Sequence, residues 1–391
     1  MSKLEKLIQQ YCPDGVEYKA LGEVTIMKRG TSATKGIMQA GNIPVISGGR
    51  QPAFYCNASN RTGEVITVAG SGAGAGYVQY WNEPIFVCDA FSIQGNETLN
   101  TKYVYYVLTS IQEKIYSTKK GGGVPHVHIS SIDKFEIPVP PLPVQEEIVR
   151  ILDTFTELQA ELQAELQKRK QQYNFYRDNL LNFKDINRGG QEIKWMKMSE
   201  VFEIRNGYTP SKAKKEFWEG GTIPWFRMED IRQHGRILSD SILHITPKGV
   251  KGKGLFKANS FILATTATIG EHALIIADSL ANQRFTNLSI RKSLENELSV
   301  KYVYYYFFVI DEWCKANTNV SNFASVDMSK FYNLLIPIPS IEEQQKIVSI
   351  LDRFDTLTND LTAGLPAEME KRRQQYEFYR DKLLTFKRKE V

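Results

Sequence analysis

The sequence predicts an α+β protein in which two mixed α/β domains are joined by two long, antiparallel, coiled-coil-like helices, with a pseudo-twofold internal repeat. The first observation behind this prediction is a duplicated segment. Residues 137–155 match residues 336–354 at ten of nineteen positions, with a constant offset of 199. The match resumes at an offset of 203, where residues 168–183 and 371–386 agree at twelve of sixteen positions. A repeat of this length indicates a duplicated architecture.

The second observation is a helical pattern of apolar residues within each repeat. In the first copy these residues recur at steps of three and four from Ile148 to Leu166, and aromatic residues extend the stripe to Phe183. Unbroken, residues 145–183 would span about 58 Å at ~1.5 Å per residue. Such a long stripe favours an antiparallel helix pair over two separate surface helices. The second copy has four extra residues around Gly364–Pro366, where we expect its helix to kink or break.

The third observation is a pair of similar globular blocks, one before each helical repeat. Their first residues agree at an offset of 177 (16–31 against 193–208), and KYVYYVL at 102–108 matches KYVYYYF at 301–307. Strand-like runs dominate both blocks, at 63–70, 78–87, 260–266 and 272–278, with short helices around 101–118 and 299–316. Each block is therefore predicted to be a mixed domain with a twisted, largely antiparallel sheet.

These patterns divide the chain into four segments. We expect a first globular domain at 1–136, a central helical region at 137–187, a second globular domain at 188–335 and a C-terminal helical region at 336–391. Residues 2–11 are expected to form a short helix that ends at Pro13–Gly15 and completes the helical bundle next to the C-terminus.

Charge is distributed unevenly along the chain, whose formal net charge is +5. Residues 18–135 carry 11 Lys and Arg against 7 Asp and Glu, and residues 195–334 carry 18 against 14. The helical stretches 145–183 and 342–386 carry 5 against 7 and 7 against 9. Positive charge on the blocks but not on the helices is typical of domains that face a polyanion.

The composition indicates a folded chain without a membrane segment. No stretch approaches ~18 uninterrupted apolar residues, and the N-terminal MSKLEKLIQQ lacks signal-peptide character. The four cysteines, at positions 12, 56, 88 and 314, lie far apart without metal-ligand spacing. We therefore expect reduced thiols in a cytoplasmic protein.

The sequence contains no motif that fits a catalytic, cofactor or metal site. The glycine-rich segment 69–76 resembles a dinucleotide-binding loop, but the strand-like residues after it favour a tight turn between strands. His126 and His128 have no Cys or acid at ligand spacing, so we expect loop histidines and not a metal site. The sequence lacks the motifs of an amino-methyltransferase or a metal-dependent nuclease. We therefore expect a non-catalytic chain that recognises a partner and itself binds no cofactor or metal.

Each block is followed by a proline-rich lead-in, then Gln145 or Gln344, then IVxILD and a long helix. This arrangement resembles the specificity (S) subunit of type I restriction–modification enzymes over residues 16–386. The resemblance implies that each globular block is a target recognition domain, which reads one half of a bipartite site in double-stranded DNA. It also implies that the helices form a spacer of fixed length and bind two modification subunits. Those partners would carry S-adenosylmethionine and the methyltransferase, while a separate restriction subunit would carry translocation and cleavage.

The loops of the two blocks supply the candidate DNA-binding residues. Base-edge contacts are expected from Arg50, Gln51, Arg61 and Ser71 in the first block and from Arg227, Arg232, His234, Arg236 and Arg284 in the second. Phosphate contacts are expected from Lys28, Arg29, Lys35, Lys119, Lys120, Lys212, Lys214, Lys215, Lys248, Lys251 and Lys253. The loops of Arg50 and Arg232 are the preferred choices, and an ordinary solvated charge is the alternative at each position.

The aromatic stripe of the helices is wider than one helix seam requires. It comprises Tyr173, Phe175 and Tyr176 and their copies Tyr376, Phe378 and Tyr379. We assign the excess to docking of the partner subunits, with core packing as the alternative. For the whole chain, the alternative is a non-catalytic helical adaptor that does not bind nucleic acid.

Overall fold

The chain folds into two compact units, each containing one globular block and helical segments from both repeats. The computed structural model describes residues 2–36, 38–121, 123–183, 193–319, 324–359 and 363–390. Unit 1 comprises Met1–Glu165 and Ala367–Val391, and unit 2 comprises Leu166–Pro366. Within the described ranges, no helix combines the length and the apolar character needed to cross a bilayer. The predicted α+β class with an internal repeat is confirmed.

The elements of unit 1 begin with a short helix and end with a long one. In chain order they are α1 (Lys3–Tyr11), β1 (Glu17–Ala20), α2 (Leu21–Val24), β2 (Thr25–Arg29), β3 (Ile43–Ile46), β4 (Phe54–Cys56), β5 (Val65–Ala69), β6 (Val78–Trp81), β7 (Phe86–Val87), β8 (Ala90–Gly95), α3 (Thr101–Ser110), α4 (Gln112–Tyr116), α5 (Ile129–Ile132), β9 (Glu136–Val139) and α6 (Leu142–Leu181). The part of α6 up to Glu165 belongs to this unit.

Unit 2 contains the rest of α6 and a similar order of elements with additional ones. They are β10 (Lys194–Lys197), α7 (Met198–Val201), β11 (Phe202–Asn206), β12 (Ile223–Phe226), α8 (Met228–His234), β13 (Ile237–Leu238), β14 (His244–Ile245), β15 (Ser260–Ala264), β16 (His272–Ile275), β17 (Leu280–Ala281), β18 (Phe285–Ile290), α9 (Val300–Ala316), β19 (Thr318–Asn319), β20 (Ser325–Val326), α10 (Met328–Asn333), β21 (Leu335–Ile338) and α11 (Ile341–Asn359). The last helix, α12 (Gly364–Leu383), belongs to unit 1 from Ala367 onward.

The block of unit 1 is built on a four-stranded antiparallel sheet of order β2-β8-β5-β6. All five residues of β5 are buried, as expected for a central strand. Val68 pairs with Val78 across the turn to β6, so the predicted strand-to-strand turn at 69–76 is confirmed. A second sheet, β4-β3-β7, has one antiparallel and one parallel pair. The main core joins sheet residues such as Ile66 and Phe91 to Tyr103 of α3 and Leu152 of α6.

The block of unit 2 has the same plan, with one additional strand in the main sheet and a separate two-stranded sheet, β19-β20. Its main sheet has the order β11-β18-β15-β16-β13, antiparallel except where β13 meets β16. The smaller sheet, β14-β12-β17, again has one antiparallel and one parallel pair. Its core packs Phe202 and Phe261 of the sheet against Phe307 of α9, with ring centroids 4.8 Å apart for the pair Phe261–Phe307. Largely antiparallel sheets were predicted for both blocks and are confirmed.

The N- and C-terminal segments of unit 1 pack together beside the start of α6. The backbone N–H of Val16 donates to the carbonyl of Lys387 at 2.9 Å, and the N–H of Lys389 donates to the carbonyl of Val16 at 2.9 Å. Lys3 of α1 forms an ion pair with Glu147 of α6 at 2.7 Å. The prediction that residues 2–15 join the helical bundle next to the C-terminus is therefore confirmed.

A buried glutamine fixes the start of the helical repeat to each block. In unit 1, Gln145 is fully buried; its Nε2 donates to the carbonyls of Thr98 at 2.9 Å and Pro140 at 2.6 Å, and its Oε1 accepts the N–H of Asn100 at 2.8 Å. The counterparts in unit 2 are Gln344 with Glu297, Pro339 and Ser299. Both copies have Gln at this position because its buried amide forms hydrogen bonds through both its nitrogen and its oxygen.

A carboxylate about two turns further along α6 reinforces the same junction. Asp153 accepts hydrogen bonds from Lys102 at 2.8 Å and from the hydroxyl of Tyr106 at 2.5 Å. Burial, followed by the bond to Asp153, raises the pKa of Tyr106, so its hydroxyl remains a donor. The counterparts in unit 2 are Asp352, Lys301 and Tyr305.

Helical segments from the two repeats form an antiparallel pair within unit 1. Phe155 of α6 stacks on Tyr379 of α12 at 5.6 Å between centroids and contacts Tyr376 at 6.4 Å. Arg388, beyond the end of α12, pairs with Glu136, which precedes α6, at 2.6 Å. The two helices therefore run in opposite directions.

Unit 2 contains the matching pair, formed by the second part of α6 and by α11. Phe354 stacks on Tyr176 at 5.3 Å and contacts Tyr173 at 6.4 Å. Phe183, which follows α6, contacts Tyr302, whose hydroxyl donates to the carbonyl of Pro337 just before α11. The end of α6 thus lies near the start of α11, and this pair is also antiparallel.

The two long helices differ in continuity as predicted. α6 runs for 40 residues, whereas α11 ends at Asn359 and α12 begins at Gly364. Gly364 has a φ of +76°, and a Cβ there would lie 2.4 Å from the carbonyl oxygen of Thr356. The predicted break at Gly364–Pro366 is therefore confirmed. The predicted boundary between residues 187 and 188 lies outside the described residues.

Candidate nucleic-acid interface

At one edge of the main sheet in unit 1, the ends of β2 and β5 meet the start of β8. The N–H of Gly30 donates to the carbonyl of Ala90 at 2.9 Å, and the N–H of Gly70 donates to the carbonyl of Asp89 at 3.0 Å. A Cβ at Gly30 would lie 2.0 Å from the carbonyl oxygen of Cys88, so only glycine allows this close approach. We call this arrangement, together with the loop residues 119–121 and 123–128 that cross it, the strand-end edge of unit 1.

Unit 2 has a strand-end edge with the same backbone frame. The N–H of Gly207 donates to the carbonyl of Phe285 at 2.9 Å, and the N–H of Thr265 donates to the carbonyl of Arg284 at 3.0 Å. A Cβ at Gly207 would lie 2.2 Å from the carbonyl oxygen of Asn282. The two blocks therefore hold these strand ends by the same contacts.

The loop that crosses each edge is also held in the same way. In unit 1, Ser71 bridges to His126, and the N–H of Val127 donates to the carbonyl of Gly70 at 3.0 Å. The equivalent contacts in unit 2 are the bridge of Thr266 to Ser325 and the bond from Val326 to Thr265 at 2.9 Å. The described loop residues thus make the same two backbone contacts in both units.

Side chains on this shared frame differ in chemistry. The pairs at matching positions are Arg29 and Asn206, Ser71 and Thr266, Asp89 and Arg284, and His126 and Ser325. In unit 1 the edge encloses a concavity of about 230 Å³, which is lined in part by Arg29, Asp89 and His126. A constant backbone with variable polar side chains is suited to recognising different partners with the same geometry.

The predicted base-contacting residues of unit 1 fall into two groups. Arg50 and Gln51 are exposed on the loop between β3 and β4, with the Arg50 guanidinium 4.9 Å from the centre of the Tyr77 ring. Arg61 is instead held inside the block: it donates to Ser92 Oγ at 2.7 Å and to the carbonyl of Arg29 at 2.8 Å. Burial lowers the pKa of Arg61. These contacts give Arg61 a structural role.

In unit 2, one predicted arginine is also engaged internally. Arg236 donates to the carboxylate of Asp311 at 3.1 Å and lies 5.0 Å from the centre of the Phe308 ring. Asp311 also contacts His272 at 2.7 Å, and burial lowers the pKa of His272. The positive charge of Arg236 therefore compensates the negative charge of the buried Asp311 carboxylate. With His234 it lines a cavity of about 620 Å³.

The other predicted cations of unit 2 differ in whether they form ion pairs. Arg227 lies 3.8 Å from Glu229, and Lys248 pairs with Glu216 at 3.1 Å. Across the part of unit 2 that the structure describes, no ion pair is formed by the exposed side chains of Lys212, Lys214, Arg232, His234, Lys251, Lys253 and Arg284. Lys215 pairs with Glu219 at 3.5 Å.

The lysines and the arginine predicted to contact phosphates in unit 1 are mostly exposed. Lys28, Arg29, Lys35 and Lys120 are exposed, and Lys119 lies over the ring of Tyr116 at 4.2 Å. Arg29 stands on the strand-end edge, and Lys119 and Lys120 belong to its crossing loop. The edge therefore carries several of the predicted phosphate contacts of this unit.

The aromatic stripe contains residues of two kinds. The tyrosines at 173, 176, 376 and 379 pack against Phe354 or Phe155 inside the helix pairs. Phe175 and Phe378, by contrast, are 64% and 63% exposed. Core packing accounts for Tyr173 and Tyr376, whereas Tyr176 and Tyr379 are 41% and 38% exposed. These two tyrosines and the two phenylalanines therefore remain candidates for docking.

Asp89 is not among the residues that the sequence predicts for the interface, because the middles of the two blocks have diverged. Across the described ranges, no group of three or more His, Cys, Asp and Glu residues is placed to hold a metal ion. The four cysteines are free thiols. Asp89 occupies the same position in the first block that Arg284 occupies in the second.

Comparison with known proteins decides the family. The family model for type I restriction–modification DNA specificity domains matches residues 13–169 and 191–371, one match for each block with its helix. The chain belongs to this family. Members of the type I specificity family that resemble it include the EcoR124I/EcoR124II specificity subunit of Escherichia coli. That protein is 36% identical over 435 aligned residues, which cover 100% of this chain and 98% of the relative.

A second relative matches only part of the chain more strongly. The EcoprrI specificity subunit of Escherichia coli is 53% identical over 209 residues, which cover 52% of each protein. Among solved structures, the S subunit from M. genitalium matches with a TM-score of 0.52 at 17% identity, over 94% of this chain and 95% of that one. A chain from a study of assembly of the type I system matches with a TM-score of 0.62 at 17% identity, over 95% and 97%. These structures support the specificity-subunit fold.

Proposed function

We propose that this chain is the DNA-recognition subunit of a type I restriction–modification complex, with each globular block contacting one half of a bipartite site. The observation that carries the proposal is the pair of strand-end edges, which share a backbone frame and differ in side chains. Such a pair suits two half-sites of different sequence. The excess of positive charge on both blocks supports contact with the phosphate backbone.

The cations are proposed to act in two ways. Exposed lysines such as Lys251 and Lys253 neutralise phosphates and position the block. Arg50, Gln51, Ser71, Arg227, Arg232, His234 and Arg284 are proposed to contact base edges. Arg61 and Arg236 are left out of this group, because their guanidinium groups are already bonded within the protein.

The helical segments are proposed to set the distance between the half-sites and to dock two modification subunits. Phe175 and Phe378 support docking, since large exposed aromatic side chains at matching repeat positions are typical of an interface. S-adenosylmethionine, methyltransferase activity and DNA cleavage are proposed to reside in partner subunits, and this chain to be non-catalytic.

The test is the salt dependence of DNA binding by the chain in complex with its modification subunits. We expect the logarithm of the binding constant to fall linearly with the logarithm of salt concentration. Replacing Lys251 and Lys253 with Gln should weaken binding to all sequences and reduce the slope by about 1.8, at about 0.9 per lost phosphate contact. Lys371→Gln, on α12, is the matched control and should leave the slope unchanged. A helical adaptor would show no salt-dependent DNA binding.

A further inference from the structure

We propose that Asp89 and Arg284 occupy one and the same reading position in the two blocks and select bases of opposite hydrogen-bonding character. Asp89 accepts a hydrogen bond from the amino group of a cytosine in one half-site. Arg284 donates to the O6 and N7 acceptors of a guanine in the other. The proposal rests on the proposed function and names what each block recognises at this position.

Equivalence of the two positions follows from the backbone contacts around them. Asp89 immediately precedes β8 in unit 1, and Arg284 immediately precedes β18 in unit 2. The carbonyl of each accepts an N–H at 3.0 Å from the residue that immediately follows the adjacent central strand. In both sheets the next residue pairs with the last residue of that strand, Ala90 with Ala69 and Phe285 with Ala264.

The side chains at this position are exposed and available to a ligand. Arg284 forms no ion pair or side-chain hydrogen bond with any residue in the described part of unit 2. Asp89 forms no ion pair within the described part of unit 1, and its Oδ2 accepts a hydrogen bond from Ser71 Oγ. That bond orients the carboxylate and leaves Oδ1 free to accept another donor.

The charges themselves indicate base contacts. An exposed carboxylate near Arg29, on a block with excess positive charge, would be repelled by phosphates, so a phosphate contact does not account for Asp89. In the major groove, cytosine presents an amino donor, whereas guanine presents two acceptors. A carboxylate matches the first pattern and a guanidinium matches the second.

The experiment is methylome sequencing of cells that express the modification subunits with each variant. Asp89→Asn keeps the size of the side chain and its acceptor for Ser71, but it introduces an amide that pairs with adenine. We expect methylation of the wild-type motif to fall at least ~10-fold and the preferred base to change at one position of one half-site. Asp89→Glu keeps the carboxylate and should keep the motif.

Arg284 provides the independent half of the test. Arg284→Gln should change the preferred base at one position of the other half-site, whereas Arg284→Lys should retain guanine. Glu83→Gln and Lys292→Gln change exposed charges elsewhere on the two blocks and should leave both half-sites unchanged.

The outcomes separate the two proposals. An unchanged motif with Asp89→Asn and Arg284→Gln would overturn the reading position while leaving the proposed function intact. Loss of all methylation with Asp89→Asn and Asp89→Glu alike would assign Asp89 a structural role only and would also overturn it. Absence of any bipartite motif with the wild-type chain would instead contradict the proposed function.

Discussion

Replacing Gln145 with Met should open the junction between the first block and its long helix. Methionine has nearly the same shape, but it removes both donated bonds to Thr98 and Pro140 and the bond accepted from Asn100. Each buried backbone group left without a partner costs about 1–3 kcal/mol, and the more apolar side chain offsets part of the total. We therefore expect a local destabilisation of about 3–4 kcal/mol.

Hydrogen exchange with mass spectrometry on the full-length chain measures this effect by segment. A loss of about 3–4 kcal/mol corresponds to roughly 100- to 1,000-fold faster exchange of amides in residues 98–103 and 142–148. Gln344→Met should produce the same change at 297–302 and 341–347. Gln163→Met, an exposed position of the same α6 helix, is the control and should change exchange little. Acceleration of less than ~10-fold by Gln145→Met would refute the reasoning.

Three further predictions concern the helical segments. The hydrogen bond from Arg150 is the main cause that lowers the pKa of Glu147 to about 2, so the stabilisation given by this carboxylate should be present above pH 4.5 and lost as pH falls towards 2. Glu147→Gln should lower the unfolding free energy at pH 7 by about 1–2 kcal/mol, and by less at pH 2.5. Replacing Phe175 and Phe378 with Ser should weaken binding of modification subunits by at least ~10-fold in titration calorimetry, with the unfolding midpoint unchanged. Insertion of four residues after Ala164 should change the gap between half-sites in the methylome and leave both half-sites unchanged.

Each of these predictions has a contradicting result. An equal effect of Glu147→Gln at both pH values would show that its charge does not contribute to stability. Unchanged affinity for the modification subunits would exclude Phe175 and Phe378 from docking. A change in half-site identity after the insertion would show that the helices do more than set the spacing.

The helical regions could be predicted from the sequence because their signals are local. The spacing of Ile148 and its successors, the break at Gly364 and the short helix at the N-terminus all depend on residues close in the chain. The division into units could not be predicted. It depends on which parts of the two helical repeats contact each other, as Phe354 contacts Tyr176. Periodicity predicts that the helices pair, but it does not give the register of the pairing.

The candidate site was predicted only in part, for two physical reasons. Arg61 and Arg236 have the residue type of base readers, but their partners include a backbone carbonyl and a buried aspartate that local sequence does not indicate. Asp89 was missed because the middles of the blocks have diverged, and its match to Arg284 becomes visible only in strand register. Burial and register are tertiary properties, so neither follows from composition.

Methylome sequencing with and without this chain tests the central claim most directly. In cells that contain the modification subunits, we predict adenine methylation at one bipartite motif when the chain is present and its disappearance when the chain is removed. A methylome that is the same in both cases would contradict the assignment of this chain as the DNA-recognition subunit.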